Sequence, residues 1–173
     1  MFQSTALVPA PNFILVPDTP EMERAFDSIL NMSPVSVLPD RDSGPFAFYI
    51  PDNKVIVINP QADESVLFGA LSREMALALY HQRQGDAFDR DNLLLEANSI
   101  SRMLSQRFGL APGYVGDVPL STRGATTRGK ARFLEALRGI AAKLGDVIQA
   151  AVSRQNVLGQ SRSIEPIDID TSR

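Results

Sequence analysis

Apolar and polar residues follow two different periods along the chain, and together these periods predict a mixed α+β fold. Two β-branched or aromatic runs flank Pro51, Asp52 and Asn53, which favour chain reversal, so this stretch predicts a hairpin. We expect the strands to form a small antiparallel sheet. The predicted elements are an edge strand at 12–16, a helix at 20–30, a strand at 35–38, the hairpin at 46–59, and helices at 63–84, 91–108 and 128–154.

Capping residues mark the predicted helix ends. Thr19 precedes Pro20 at the start of the first helix, and Asp63 and Glu64 open the helix at 63–84, which ends before Gly85. Apolar residues recur every three or four positions in the next helix, at Leu93, Ala97, Ile100, Leu104 and Phe108. The buried stripe predicted for the long last helix contains Phe133, Leu137, Ile140, Leu144, Ile148 and Ala151.

The length and composition of the chain favour one domain. Its 173 residues, 44% of them apolar, suffice for one hydrophobic core but not comfortably for two. We expect a single domain over residues 1–154 with its core at 20–111, followed by a disordered tail at 155–173 that lacks periodicity. Because the sequence contains neither a run of eighteen apolar residues nor a signal-peptide pattern, we expect a cytoplasmic protein without membrane contact.

Residues 73–81, Arg-Glu-Met-Ala-Leu-Ala-Leu-Tyr-His, have the outline of a zinc-peptidase helix without its metal ligands. The His-Glu-x-x-His motif places two imidazoles one helical turn apart so that both bind one zinc ion. Arg73 and Leu77 occupy those two positions, and neither a guanidinium cation nor an aliphatic side chain can donate a lone pair to a metal. The chain has no cysteine and one histidine, His81, so the sequence predicts neither a bound metal nor another cofactor.

The order of these motifs resembles the zincin-like peptidase domains of the ImmA/IrrE and ArdC antirestriction families. The matching stretches are Val55-Ile-Val-Ile-Asn-Pro60, residues 73–81, Glu96-Ala-Asn98 and Arg107-Phe-Gly-Leu110. The resemblance covers about residues 20–111 and implies a zincin-like fold in which an active-site-type helix is followed by a Glu-bearing helix. It implies that Glu74 stands at the general-base position and Glu96 at the third ligand position. Because both histidine positions have changed, we expect a catalytically inactive pseudo-peptidase.

In this degenerate site, we predict that a fixed cation replaces the metal. The guanidinium of Arg73 is expected to lie near the vacated metal position and to pair with Glu96, with Glu74 as a second partner, because an unpaired buried carboxylate is costly. His81 lies two turns beyond Arg73, about 12 Å along the helix, so we expect it to be a hydrogen-bonded structural residue rather than a ligand. The predicted degenerate site contains Arg73, Glu74, Leu77, His81 and Glu96.

Charge is distributed unevenly along the chain. Residues 1–99 carry fourteen acidic and six basic side chains, whereas residues 100–154 carry three acidic and nine basic ones. Basic side chains near the start of the last helix would suit phosphate contacts, because free N–H groups and cations together bind anions. The residues proposed for such contacts are Arg123, Arg128, Lys130, Arg132 and Arg138.

The resemblance implies a function in binding a macromolecule, with a protein as the expected partner. Related domains occur in plasmid- and phage-borne proteins that counter host defence or act during DNA entry, and the resemblance implies that setting. Two alternatives stay open. One is a nucleic-acid-binding module that uses the basic region 102–138, and the other is a metal-dependent hydrolase with a rearranged site formed by Glu74, Glu96 and His81.

Overall fold

A computed structural model describes residues 14–42, 46–110 and 127–160, and within this part the chain forms four α-helices and three short strands. In chain order the elements are α1 (Pro20–Met32), β1 (Ser36–Pro39), β2 (Ala47–Ile50), β3 (Val55–Ile58), α2 (Glu64–Gln84), α3 (Arg90–Arg107) and α4 (Thr127–Gln160). A single 3₁₀ turn, Gly85–Ala87, joins α2 to α3. The α+β class predicted from the sequence is therefore confirmed.

The helix starts and ends follow the capping residues. The side chains of Thr19 and Asp63 accept hydrogen bonds from backbone N–H groups in the first turns of α1 and α2. Asp89 does the same for α3, by accepting from the backbone N–H of Asn92. Gly85 has a φ of 55°, a value that residues with a side chain rarely adopt, and it ends α2 at the predicted position.

The three strands form one mixed sheet in the order β1-β3-β2. The hairpin β2–β3 is antiparallel as predicted, but β1 runs parallel to β3, so the prediction of an antiparallel sheet was wrong for this strand. The turn residues in the sequence report only the local reversal between β2 and β3. They contain no information on which strand lies next to β1, because that pairing depends on contacts far apart in the chain.

The central helix α2 is buried on several sides. It packs against β2 and β3 of the sheet and against α3, while α1 and α3 both pack on α4. Phe68, Leu71 and Leu77 of α2 are fully buried. The Oγ of Ser101 on α3 donates a hydrogen bond to the backbone oxygen of Gly69 on α2 at 2.6 Å. Residues 73–81 therefore lie in a largely buried part of α2, and this helix packs on α3, which carries Glu96.

Two segments differ from the sequence-based expectation. Residues 14–16 form no strand, although the backbone N–H of Leu15 donates to the backbone oxygen of Phe108 at 2.9 Å. The last helix continues to Gln160, so residues 155–160 extend it beyond the predicted end, and the remainder of the predicted tail lies outside the described residues. None of the helices in the described part of the chain combines the length and apolar character needed to cross a membrane.

Candidate functional site: a buried carboxylate held by two arginines

The two helices that carry the predicted degenerate site pack against each other. The hydrogen bond from Ser101 on α3 to the backbone oxygen of Gly69 on α2 joins them. Glu74 and Leu77 on α2 and Glu96 on α3 are all buried.

Tyr80 on α2 interacts electrostatically with Glu96 on α3. Burial raises the pKa of the Tyr80 hydroxyl above its ordinary value, the carboxylate of Glu96 raises it further, and the cation of Arg83 opposes both effects.

Glu74 is the centre of the candidate site. Its side chain is 0% exposed, yet its two oxygens accept four N–H groups. Oε2 accepts from the backbone N–H of Tyr49 at 2.9 Å and from Nη1 of Arg90 at 2.8 Å. Oε1 accepts from Nε of Arg73 at 2.7 Å and from Nη2 of Arg90 at 3.0 Å. These bonds take up the roughly four lone-pair positions of a carboxylate, so none is left to activate a water molecule.

Arg90 was not identified from the sequence, although it is the residue that binds both oxygens of Glu74. It lies in the first turn of α3, where the helix dipole disfavours a cation. The penalty is small, and the neighbouring Asp89 and Asp91 offset it locally, so no pattern within α3 indicates Glu74 as the partner of Arg90.

The predicted contact of Arg73 with Glu74 is confirmed, and its pairing with Glu96 stays a prediction. The residues at the positions of the metal ligands do not fit a zinc ion, because Leu77 offers no lone pair and Arg73 carries a positive charge. Instead, the guanidinium groups of Arg73 and Arg90 both bind Glu74. We call these three residues the arginine cluster.

His81 occupies a separate aromatic group that joins α2 to β2. Its Nδ1 lies 2.7 Å from the hydroxyl oxygen of Tyr49, and its ring stacks on Phe88 with 4.6 Å between ring centroids. Burial raises the pKa of the Tyr49 hydroxyl. The direction of the hydrogen bond between this hydroxyl and Nδ1 depends on the tautomer of His81. The expectation that His81 is hydrogen-bonded is confirmed.

The proposed nucleic-acid contacts are only partly described. Arg132 and Arg138 are exposed on α4. Arg123 and the side chains of Arg128 and Lys130 lie outside the described residues, so the contacts proposed for this basic set stay a prediction. Within the described residues, no three side chains of histidine, aspartate or glutamate are grouped closely enough to hold a metal ion.

Comparison with known proteins identifies no relative of this chain. No family model, curated protein or solved structure gives a significant match to the chain. The resemblance to zincin-like domains thus depends on the motifs of the chain itself and on their arrangement.

Proposed function

We propose that the chain is a catalytically inactive, zincin-like domain of the ImmA/IrrE and ArdC type that acts by binding a protein. The observation that carries this proposal is the state of Glu74, which stands at the general-base position of the resembled motif. A general base requires a lone pair directed at water. Both oxygens of Glu74 are instead saturated by N–H groups from Arg73, Arg90 and Tyr49.

The arrangement of the elements gives further support. A hairpin leads into the buried helix α2, and α2 packs against α3, which carries Glu96. This order matches the order of the motifs that carry the resemblance. The same resemblance supports a cytoplasmic role in counter-defence or DNA entry for a phage- or plasmid-borne protein.

Metal analysis of the full-length protein tests the loss of catalysis. We expect that the wild-type protein, purified without chelator and dialysed against zinc, retains no stoichiometric metal and does not hydrolyse a casein substrate. One bound zinc ion per chain, or peptidase activity removed by Glu74→Gln, would overturn the proposal and favour the rearranged hydrolase.

Restoring the missing ligands tests the zincin-like geometry. In the double variant Arg73→His and Leu77→His, two imidazoles would lie one turn apart beside Glu96, which suits tetrahedral zinc with one open position. We expect this double variant to bind one zinc ion per chain and to show a higher melting temperature when zinc is added. Adding Glu96→Gln to the double variant should weaken zinc binding. Leu77→His alone is the matched control. Equal zinc binding by the control and the double variant would contradict the assigned ligand geometry.

The choice of a protein as the partner is tested against nucleic acid. In a gel-shift assay with labelled double-stranded DNA, we expect no salt-dependent shift that depends on Arg132 and Arg138. The variant Arg132→Glu, Arg138→Glu is the control, because it would remove such a shift. Such a shift would assign the function to the basic region of the chain instead.

A further inference from the structure

An open groove of about 290 Å³ lies between α1 and α4. Its polar lining comes from α1, from residues at a helical spacing that places them on one face of that helix. These residues are Arg24, Asp27, Ser28 and Asn31. Sites for small molecules begin at a volume of roughly 300 Å³, so the groove suits a ligand at the small end of that range. We call it the α1–α4 groove.

Arg24 has one nitrogen that lacks an acceptor. Its Nη2 donates to Oε1 of Glu21 at 2.6 Å, so Glu21 already offsets the charge of the guanidinium. Its Nε is buried and has no hydrogen-bond partner in the described part of the chain. A buried N–H group without an acceptor is costly. An oxygen atom of a bound molecule would remove this cost if the guanidinium turned slightly toward the groove.

Asp27 and Ser28 add an acceptor and a donor to the same groove. The carboxylate of Asp27 is exposed and forms no ion pair with the described residues, and Arg24 pairs with Glu21 instead. Ser28 is only 7% exposed, and its hydroxyl makes no hydrogen bond to the described residues. The groove therefore presents a free carboxylate beside two N–H or O–H groups that lack acceptors. A molecule that carries both an ammonium group and a carboxylate would satisfy all three.

The remaining lining of the groove is apolar. It consists of Met32 at the end of α1 and of Val147 and Ala151 on α4. Val147 and Ala151 are one helical turn apart, so their side chains lie one above the other on the same face of α4. Val147 is 48% exposed, and an aliphatic group placed on it would remove apolar surface from water. A charged group placed there would lose hydration without gaining a partner.

We propose that the α1–α4 groove binds a free α-amino acid with an aliphatic side chain. The carboxylate of the amino acid accepts hydrogen bonds from Nε of Arg24 and Oγ of Ser28. Its ammonium group pairs with the carboxylate of Asp27, and its side chain packs on Val147. Because the ligand is a zwitterion, both of its charges meet a complementary group and neither is left unpaired. The site uses no residue of the degenerate site, so this inference does not rest on the proposed function.

Titration of the full-length, nitrogen-15-labelled protein with L-leucine, followed by NMR, tests the inference. We expect saturable shifts at residues 24–32 and 147–151, with a dissociation constant of about 0.1–1 mM because an open groove leaves part of the ligand in water. The Nε–H resonance of Arg24 should move downfield as it gains an acceptor. L-leucinamide lacks the carboxylate and 4-methylpentanoate lacks the ammonium group, so each should bind roughly tenfold more weakly. The absence of saturable shifts, or equal binding by either analogue, would overturn the inference.

Variants of α1 provide the second measurement. Asp27→Asn removes the anion that pairs with the ammonium group and should weaken L-leucine binding roughly tenfold. Glu23→Gln is the matched control, because Glu23 is an exposed acid of the same helix that does not line the groove, and it should leave binding unchanged. Equal affinities of these two variants would show that the ammonium group does not lie at Asp27 and would overturn the inference. The zinc and DNA measurements of the proposed function do not depend on this result.

Discussion

Arg90 binds Glu74 through both of its terminal nitrogens, one on each carboxylate oxygen, at 2.8 and 3.0 Å. Arg90 is the first residue of α3, and Glu74 lies in the middle of α2. The backbone N–H of Tyr49, on β2, donates to the same carboxylate. A single buried charge therefore connects three elements. The bidentate geometry is specific to a guanidinium, because a lysine ammonium cannot present two parallel N–H groups.

Removal of Arg90 should destabilise the fold substantially. Arg90→Ala leaves the fully buried Glu74 with a weaker set of donors, and breaking a buried ion pair in this way costs about 3 kcal/mol of unfolding free energy. Arg90→Lys should give a smaller loss. Urea denaturation at pH 7 measures both changes.

A matched surface pair provides the control for this experiment. Arg107 and Asp146 lie 2.6 Å apart, but Asp146 is 72% exposed, so Asp146→Ala should cost less than about 1 kcal/mol. If Arg90→Ala and Asp146→Ala have equal effects, the buried carboxylate does not hold the three elements together.

Alkaline pH should weaken the fold through Tyr49, which is buried, and Tyr80, which is partly buried. Burial raises the pKa of both Tyr49 and Tyr80 above the ordinary value of 10.0. Below about pH 10 both hydroxyls are protonated in the folded and unfolded states, so their contribution to stability is fully present. Above that pH the unfolded chain loses these protons first, and stability falls as the pH rises through the folded-state pKa values.

Urea denaturation between pH 8 and pH 11 measures this loss. Tyr80→Phe should lose less stability than the wild-type protein over that interval, since one of the two shifted groups is absent. Absorbance at 295 nm should also show a later midpoint for the folded protein than for the chain in denaturant. Parallel stability curves for the wild-type protein and Tyr80→Phe would show that Tyr80 has the same pKa in both states.

The sequence predicted the helices well because their signals are local. Thr19, Asp63 and Gly85 mark helix ends through bonds and dihedral angles within a few residues, and all three occur where expected. The direction of β1 and the role of Arg90 are different, because both depend on partners far along the chain. The pairing of Arg90 with Glu74 joins positions 16 residues apart, and a sequence pattern within one helix cannot specify it.

The α3–α4 contact also depends on a distant partner, and it explains a glycine in the middle of α4. A Cβ atom built on Gly145 would lie 2.5 Å from Nη1 and 2.8 Å from Cδ of Arg107. Arg107 donates from Nη1 to the backbone oxygen of Ala142 and from Nη2 to the side chains of Asp146 and Gln149. A side chain at position 145 would displace Arg107 and break these bonds.

Alanine substitutions at Gly139 and Gly145 of α4 should therefore have opposite effects. Gly139→Ala should stabilise the protein by roughly 0.5–1 kcal/mol, because a Cβ at this position meets no atom within 4 Å and alanine is the better helix former. Gly145→Ala should destabilise it by about 1 kcal/mol, because the gain in helix propensity is outweighed by the loss of bonds to Arg107. In an Arg107→Ala background the close contact is gone, so Gly145→Ala should become as stabilising as Gly139→Ala. Thermal and urea denaturation of the four variants measure this cycle, and stabilisation by Gly145→Ala in the wild-type background would contradict the docking of Arg107 on α4.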